Sequence, residues 1–189
     1  MLDSLITGDL PNHLKVKIAA RENWPILMEL WNCFNPRSSV RFFTHQLSWC
    51  ITEQFNSRPC FFMERDSISK DRNTIIDEYG LLGLSLIDLK QKSVIITEGV
   101  SDFFSVKLLC PYRNVLGVTT LGGSRNAKAL LLNLFDTFTI CADNDETGLK
   151  NAARWKNFLE SYGKQVNIFS SPLGKDITDS FIFNIKLNQ

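Results

Sequence analysis

The sequence predicts an α/β fold with a central parallel sheet flanked by helices, preceded by a smaller α+β region. From residue 92 onward, short β-branched apolar runs alternate with helix-length segments, the pattern of buried parallel strands joined by crossovers. Before that point the segments are rich in aromatic residues and lack a regular alternation. We therefore expect an N-terminal region over residues 1–90 and a parallel-sheet domain over residues 91–189.

The N-terminal region begins its clearest element at Asn23, where Pro25 lies in the first turn of a helix that closes before Pro36. The segment over residues 40–55 has an ambiguous period. We interpret the aromatic residues of this region as core rather than as a base-stacking surface. Further along, the sequence predicts a strand fragment at 61–62, a charged surface loop or hairpin turn at 65–73 and a strand at 81–87.

The second half carries the alternating pattern from which the parallel sheet is predicted. Four strands are expected at residues 94–96, 115–119, 137–142 and 165–169. Three helices are expected between them, at residues 101–109, 125–134 and 146–162. One face of the last helix is predicted to hold Leu149, Ala152, Ala153, Leu159 and Tyr162.

Composition excludes several classes of protein. Lys and Arg total 21 and Asp and Glu total 20, so no general basic coat attracts nucleic acid. No apolar run approaches the roughly 20 residues that cross a bilayer, and the N-terminal residues are a poor secretion signal. We expect a cytoplasmic protein without a membrane partner.

The five cysteines are widely spaced and include no C-x-x-C pair. This spacing is not that of a disulfide scaffold, so we expect buried, unpaired thiols. A zinc site built from Cys33, His45, Cys50 and Cys60 would match no common spacing.

Acidic residues follow the ends of three predicted parallel strands. Glu98 follows the first strand, Asp143 and Asp145 the third, and Asp176 and Asp179 the fourth. Because the carboxyl ends of parallel strands share one edge of the sheet, we expect these side chains to lie close together. Such a cluster needs counter-charge, and for oxygen ligands the usual ions are Mg²⁺ or Mn²⁺.

Two acids near the strand ends, Asp102 and Asp145, have an alternative interpretation as helix caps. Asp102 lies one helical turn beyond Glu98 and could point to the same place, or could cap the helix that follows, as could Ser101. Asp145 could equally cap the helix that begins at residue 146. No Walker P-loop is present, so an autonomous P-loop ATPase is excluded.

The acids fall within two motifs that resemble those of TOPRIM domains. The run from Glu98 to Asp102 resembles their E-G-x-x-D motif, and the run from Asp143 to Gly148 resembles their D-x-D-x-x-G motif. A G-K-D segment at 174–176 follows the next strand, as in TOPRIM domains of the bacterial and phage primase type. The resemblance covers about residues 92–180 and implies a Rossmann-like TOPRIM fold.

The resemblance implies a Mg²⁺- or Mn²⁺-dependent phosphoryl-transfer site acting on nucleic acid. Glu98, Asp143 and Asp145 would hold the ions and form the catalytic set, and Asp102 and Asp176 would be supporting ligands. The expected activity is RNA primer synthesis in DNA replication by a nucleotidyltransferase. Its expected partners are single-stranded DNA or other nucleic acid, nucleoside triphosphates and a replicative helicase or other replication protein. Residues 1–90 would be a reduced remnant of the primase core.

Residues that would contact nucleotide or nucleic acid lie near the same edge. The candidates are Arg125, Lys128, Lys175, Gly122 and Gly123. The cations at 150, 154 and 156 are interpreted as the solvated face of a helix.

The sequence departs from the primase pattern at one position and leaves two further functions open. Primases usually carry a second acid two residues after the first in the G-K-D segment; here Thr178 occupies that place and Asp179 is one further on. A TOPRIM nuclease would need the same acids, and a catalytically silent TOPRIM interaction module would keep the fold alone. A phosphoacceptor signalling domain ranks lower, because it places its acidic pair after the first strand.

Overall fold

The computed structural model describes residues 23–66, 68–69, 71–119, 124–171 and 174–181. They form two β-sheets. One has four antiparallel strands in the order β1 (Val40–His45), β2 (Ser48–Phe55), β3 (Arg58–Asp66) and β4 (Arg72–Asp77). The other has five strands in the order β5 (Leu81–Leu82), β7 (Val115–Val118), β6 (Ser93–Thr97), β8 (Thr137–Ala142) and β9 (Gln165–Ser170). In the second sheet β5 pairs antiparallel with β7, and the remaining four strands are parallel. This confirms the predicted α/β fold with a parallel sheet and a preceding α+β region.

The antiparallel sheet follows helix α1, which spans Asn23–Phe34 as the sequence predicts. The ambiguous segment at 40–55 is a hairpin, because Gln46 adopts a positive φ between two strands. The predicted fragment at 61–62 lies inside a longer strand. Of the predicted loop or hairpin turn at 65–73, residues 65–66 and 72–73 belong to two antiparallel strands, so the described residues agree with a hairpin. The strand bounds are Val40–His45 for β1, Ser48–Phe55 for β2, Arg58–Asp66 for β3 and Arg72–Asp77 for β4.

The strand predicted at 81–87 is wrong beyond its second residue. Only Leu81–Leu82 forms a strand, β5, and Leu84–Leu86 is a 3₁₀ turn. Gly83 separates them with a φ of 99°. A Cβ at this position would also lie 2.4 Å from the Phe103 ring. The backbone therefore bends where an apolar run alone would predict extension.

The parallel half follows the predicted alternation of strands and helices closely. Its strands are Ser93–Thr97 (β6), Val115–Val118 (β7), Thr137–Ala142 (β8) and Gln165–Ser170 (β9). Its helices are Val100–Leu109 (α2), Arg125–Leu134 (α3) and Glu146–Ser161 (α4), and residues 177–181 are again helical.

The buried face of α4 differs from the predicted one. Leu149 and Tyr162 are exposed by 47% and 62%, and Ala153 is exposed as well. The residues of α4 that pack inward are Gly148, Asn151, Ala152, Trp155 and Leu159. The helix is rotated from the predicted position because a small residue, Gly148, contacts the end of β8 and a polar one, Asn151, contacts Glu98.

The larger aromatic core joins the two halves of the chain. Trp31 of α1 contacts Phe103 and Phe104 of α2, and Phe42 of β1 stacks on Phe104 with 4.8 Å between ring centroids. A second core lies on the other side of the parallel sheet, beneath α3 and α4. Burial of these rings accounts for the aromatic richness of the N-terminal region. The boundary between residues 90 and 91 stays a prediction.

The cysteines are all unpaired, with Cys50 and Cys60 buried and Cys33 exposed. Among the described residues, no helix is both long and apolar enough to cross a bilayer.

Candidate functional site

Three of the predicted acids lie along the carboxyl edge of the parallel sheet. Glu98 follows β6 directly and Asp143 follows β8 directly, and these two strands are hydrogen-bonded neighbours with Thr97 opposite Cys141. The segment that holds Asp176 follows β9, the neighbour of β8. The backbone amide of Asn144 donates to the Lys175 carbonyl at 2.7 Å, so this segment is fixed beside the end of β8.

Asp143 is the acid of this cluster on which the negative charges of its neighbours act. Its pKa is raised to about 6, first by burial and then by the negative charges of Glu98 and Asp176. The pKa of Asp176 is raised by burial and by Asp179. The pairing of β6 with β8, and the hydrogen bond from Asn144 to Lys175, bring Glu98, Asp143 and the Asp176 segment to the same sheet edge, where the negative charges of Glu98 and Asp176 act on Asp143.

Gly148 has to be glycine because α4 begins directly against Asp143. A Cβ at Gly148 would lie 2.6 Å from the Asp143 Cβ and 2.7 Å from the Asp143 carbonyl oxygen. The D-x-D-x-x-G motif therefore couples the acid at the end of β8 to the start of the helix that follows it.

Asp145 caps α4 and also faces the sheet edge. Its Oδ1 accepts a hydrogen bond from the Gly148 amide at 2.8 Å, and its Oδ2 lies 3.4 Å from the Lys175 ammonium. These contacts lower its pKa, the Gly148 hydrogen bond most. The carboxylate of Asp145 thus caps α4 and lies at the sheet edge at the same time. Its lowered pKa keeps it ionised.

Asp102 is buried behind the other acids, with only 6% of its surface exposed. Its Oδ1 accepts hydrogen bonds from the Thr178 hydroxyl at 2.6 Å and from the Thr178 amide at 3.3 Å. Burial raises its pKa to about 7, and Asp176 and Asp143 contribute to the rise. Asp102 therefore links α2 to the G-K-D segment through Thr178, the residue at which the sequence departs from the primase pattern.

The G-K-D segment is held by hydrogen bonds within itself. Asp176 Oδ1 accepts from the Asp179 amide at 2.8 Å, and Asp179 Oδ2 accepts from the Lys175 amide at 3.1 Å. Gly174 has a φ of 74°, and a Cβ there would lie 2.5 Å from the Asp179 Cβ. Asp176 and Asp179 thus shape the loop that presents Lys175.

Asn151 is a site residue that the sequence did not reveal. Its Nδ2 donates to Glu98 Oε1 at 2.7 Å, across 53 positions of the chain. The amide fixes one carboxylate oxygen of Glu98 and leaves Oε2 for another partner. Its place one turn after the D-x-D-x-x-G motif, on the same helix face as Gly148, is the only sequence signal for it.

The predicted cations are distributed unevenly around the acids. Lys175 is at the cluster, and its pKa is raised by Asp145, Asp143 and Asp176. Arg125 is exposed at the start of α3. Lys128 lies over two aromatic rings of α4, with its ammonium 5.6 Å from the ring centre of Trp155 and 5.1 Å from that of Phe158. Gly122 and Gly123 lie outside the described residues.

The donor set fits a hard divalent cation that is held jointly with a substrate. Within the described ranges, no group of three or more His, Cys, Asp or Glu side chains is arranged to hold an ion by itself. Mg²⁺ is commonly bound by one or two carboxylates, with waters and substrate phosphates completing the shell. Glu98 and Asp143 on adjacent strands, with Asp145 beside them, provide carboxylates of that kind, and their mutual repulsion favours a cation.

Comparisons with known proteins agree with this architecture. Residues 95–181 match the Toprim-like family model. The fold is similar to a DNA primase domain from Pseudomonas aeruginosa, with a TM-score of 0.58 and 19% identity, covering 75% of this chain and 51% of that one. The match of residues 95–181 to a Toprim-like model and the similarity of the fold to primase structures agree with the TOPRIM domain of the primase type that the sequence motifs predict.

Two further primase structures share the fold. The Aquifex aeolicus primase, solved with its zinc-binding and RNA polymerase domains, has a TM-score of 0.58 and 22% identity, over 77% of this chain and 42% of that one. A DnaG primase catalytic domain bound to single-stranded DNA has a TM-score of 0.56 and 15% identity, over 77% and 57%. This chain thus spans about half the length of these structures. No curated protein matches it significantly.

Proposed function

We propose that the protein is a Mg²⁺- or Mn²⁺-dependent nucleotidyltransferase that synthesises RNA primers on single-stranded DNA. The observation that carries the proposal is the carboxylate cluster at the ends of the neighbouring strands β6 and β8, where burial, and then the charges of Glu98 and Asp176, raise the pKa of Asp143 to about 6. Its position at the carboxyl edge of a primase-type TOPRIM sheet supports nucleic acid as the substrate. A similar catalytic domain has been solved with single-stranded DNA.

The residues of the site have separable roles in this chemistry. Glu98, Asp143 and Asp145 would hold the ions, which would neutralise phosphate charge and favour the ionised form of an attacking hydroxyl. Glu98 Oε1 is occupied by Asn151, so Oε2 would be the atom that accepts a proton from the attacking hydroxyl. Lys175 stays protonated beside Asp145 and would bind a phosphate oxygen on the nucleotide side.

The two remaining acids of the cluster would support the site without taking part in the reaction. Asp102 and Asp176 would keep the Lys175 segment against the cluster, through Thr178 and the Asp179 amide respectively. The proposal also includes a cytoplasmic location for this activity and a replicative helicase as its partner.

The test is a paired assay on single-stranded DNA with ribonucleotides and Mn²⁺, using the full chain and its Asp143→Asn/Asp145→Asn variant. The parent should synthesise primers. The variant should synthesise them about 10³-fold more slowly, because two ion ligands are neutralised. Asn also caps helices well, so the variant should fold normally.

Asp136→Asn is the matched control, because Asp136 is an exposed aspartate paired with Lys164 away from the cluster. Its synthesis rate should equal that of the parent. Degradation of the template without synthesis would replace the proposal by a TOPRIM nuclease. Inertness of the parent in both assays would replace it by a silent interaction module.

A further inference from the structure

Strand β9 is an edge of the five-stranded sheet, and among the described strands only β8 pairs with it. The Gln165 amide at the start of β9 donates to the Asp136 carbonyl at 3.0 Å, on the β8 side. Because the peptide groups of successive residues point to opposite sides of a strand, every second residue of β9 bonds to β8. The others point their N–H and C=O groups outward, where no described strand meets them; these are Val166, Ile168 and Ser170.

The remaining edges of the two sheets are protected against pairing with another chain. β1 carries Arg41, β4 begins with Arg72 and ends with Asp77, and β5 is only two residues long. Charges, prolines, bulges and short strands are the usual protection of an exposed edge. β9 has none of these, since its six residues include no charge and no proline and its ladder with β8 has no register shift.

Apolar side chains are exposed along the same edge. Ile168 and Phe169 are exposed by 40% and 43%, and they lie on opposite faces of the sheet. Tyr162, which ends α4 just before β9 begins, is exposed by 62%. Burial of such side chains favours association of protein chains. The edge therefore combines outward-pointing backbone groups with apolar surface.

A second copy of β9 fits this edge in an antiparallel register. With Ile168 opposite the partner's Ile168, Val166 lies opposite Ser170, so each outward-pointing residue exchanges both backbone hydrogen bonds with the residue opposite. Phe169 then lies opposite Asn167 on the other face. Since β9 contains no charged residue, no like charges meet along the paired strands.

Charge also favours the antiparallel orientation over the parallel one. Glu98 and Asp143 lie beyond the carboxyl ends of their strands, and Asp176 lies in the segment that follows β9. A two-fold axis through Ile168, perpendicular to the sheet, places the two carboxylate clusters at opposite ends of the pair. Parallel strands would bring the clusters side by side, where they would repel each other.

We propose that β9 is the interface of a two-fold symmetric homodimer, in which antiparallel pairing centred on Ile168 joins two five-stranded sheets into one. The inference goes beyond the proposed function and does not depend on it, because no residue of β9 belongs to the candidate site. Both carboxylate clusters remain uncovered in this dimer.

The first test is sedimentation of the full chain at about 1 to 100 μM, where the parent should dimerise. Ile168→Lys should raise the Kd of the dimer about 100-fold or more, because it places two ammonium groups opposite each other at the axis. The matched control is Ile75→Lys, since Ile75 is exposed by 51% on β4, an edge of the other sheet. This control should dimerise like the parent. A monomeric parent, or equal behaviour of the two variants, would overturn the inference.

A mixture of two variants tests the register. Chains with Ile168→Lys and chains with Ile168→Glu should each be monomeric alone, and an equal mixture should form heterodimers, because opposite charges then face each other at the axis. Thermal unfolding checks that both variants fold. Absence of heterodimers from two folded variants would overturn pairing at Ile168.

Amide hydrogen exchange of the parent identifies the occupant without any variant. The amides of Val166, Ile168 and Ser170 should exchange slowly at concentrations where the dimer forms and quickly after dilution to the monomer. Slow exchange at every concentration would mean that another segment of the same chain covers β9. Fast exchange at every concentration would mean that no strand pairs with it. Either result would overturn the inference.

Discussion

Glu53 in the antiparallel sheet and Asp102 beside the parallel sheet are both almost fully buried, at 0% and 6% exposure, but their surroundings differ in kind. Glu53 accepts hydrogen bonds from the Gly83 amide at 2.8 Å and from the Ser85 amide and hydroxyl at 2.6 Å each. Burial raises its pKa, and no neighbouring carboxylate contributes. Asp102, by contrast, feels the charges of Asp176 and Asp143.

This difference distinguishes a buried acid that stabilises the fold from acids that form the candidate site. Both carboxylate oxygens of Glu53 accept hydrogen bonds from Gly83 and Ser85, so Glu53 joins the antiparallel sheet to the segment that follows β5. The acids of the parallel edge repel one another, which is a cost that folding alone does not require. Substitutions in the two regions should therefore change different quantities.

The largest effect on stability is expected from Glu53→Ala. It removes the acceptor of three hydrogen bonds, one buried and two partly buried, and should lower the free energy of unfolding by about 3 kcal/mol, measured by urea denaturation. Gln54→Ala changes the exposed neighbour on the same strand and should alter the free energy by less than about 0.5 kcal/mol. Equal stabilities of the two variants would contradict the role given to Glu53.

Asp102 should make stability depend on pH in the metal-free protein. Its folded pKa of about 7 exceeds its ordinary value of 3.8, so the folded state binds more protons than the unfolded state between those values. The free energy of unfolding contributed by Asp102 is then fully present below about pH 4 and is lost as the pH rises through about 7. The loss should amount to roughly 2–4 kcal/mol in urea titrations.

The variant Asp102→Asn isolates this contribution, because Asp143 and Asp176 also have raised pKa values and remain in place. Its stability should fall less steeply with pH than that of the parent. Parallel pH profiles for the two proteins would show that Asp102 keeps an ordinary pKa in the folded chain.

The sequence predicted the parallel sheet and the position of its acids because both are local. A β-branched run reveals a buried strand, and the residue that follows it must lie at the sheet edge. Glu98 and Asp143 were therefore placed correctly relative to their strands from the sequence alone. Asp145 was correctly recognised as a potential helix cap for the same reason.

The residues that the sequence did not reveal depend on contacts between distant segments. Asn151 meets Glu98 across 53 positions, and Thr178 meets Asp102 across 76. The buried face of α4 was wrong because hydrophobicity favoured Leu149, whereas the packing requires a glycine against Asp143. No local pattern encodes which polar residue faces a neighbouring strand end.

The smallest expected effect is that of Asn151→Ala, which tests whether the edge acids need positioning as well as charge. Loss of the hydrogen bond to Glu98 should reduce primer synthesis about tenfold, mainly in kcat, because Glu98 Oε1 is no longer fixed. Asn157→Ala, on the exposed face of the same helix, should leave the rate unchanged. If both variants kept the parent's rate while Asp143→Asn/Asp145→Asn lost it, charge alone would explain the site. A fall in stability with unchanged kcat for Asn151→Ala would instead place Asn151 with Glu53, among the residues that hold the fold together.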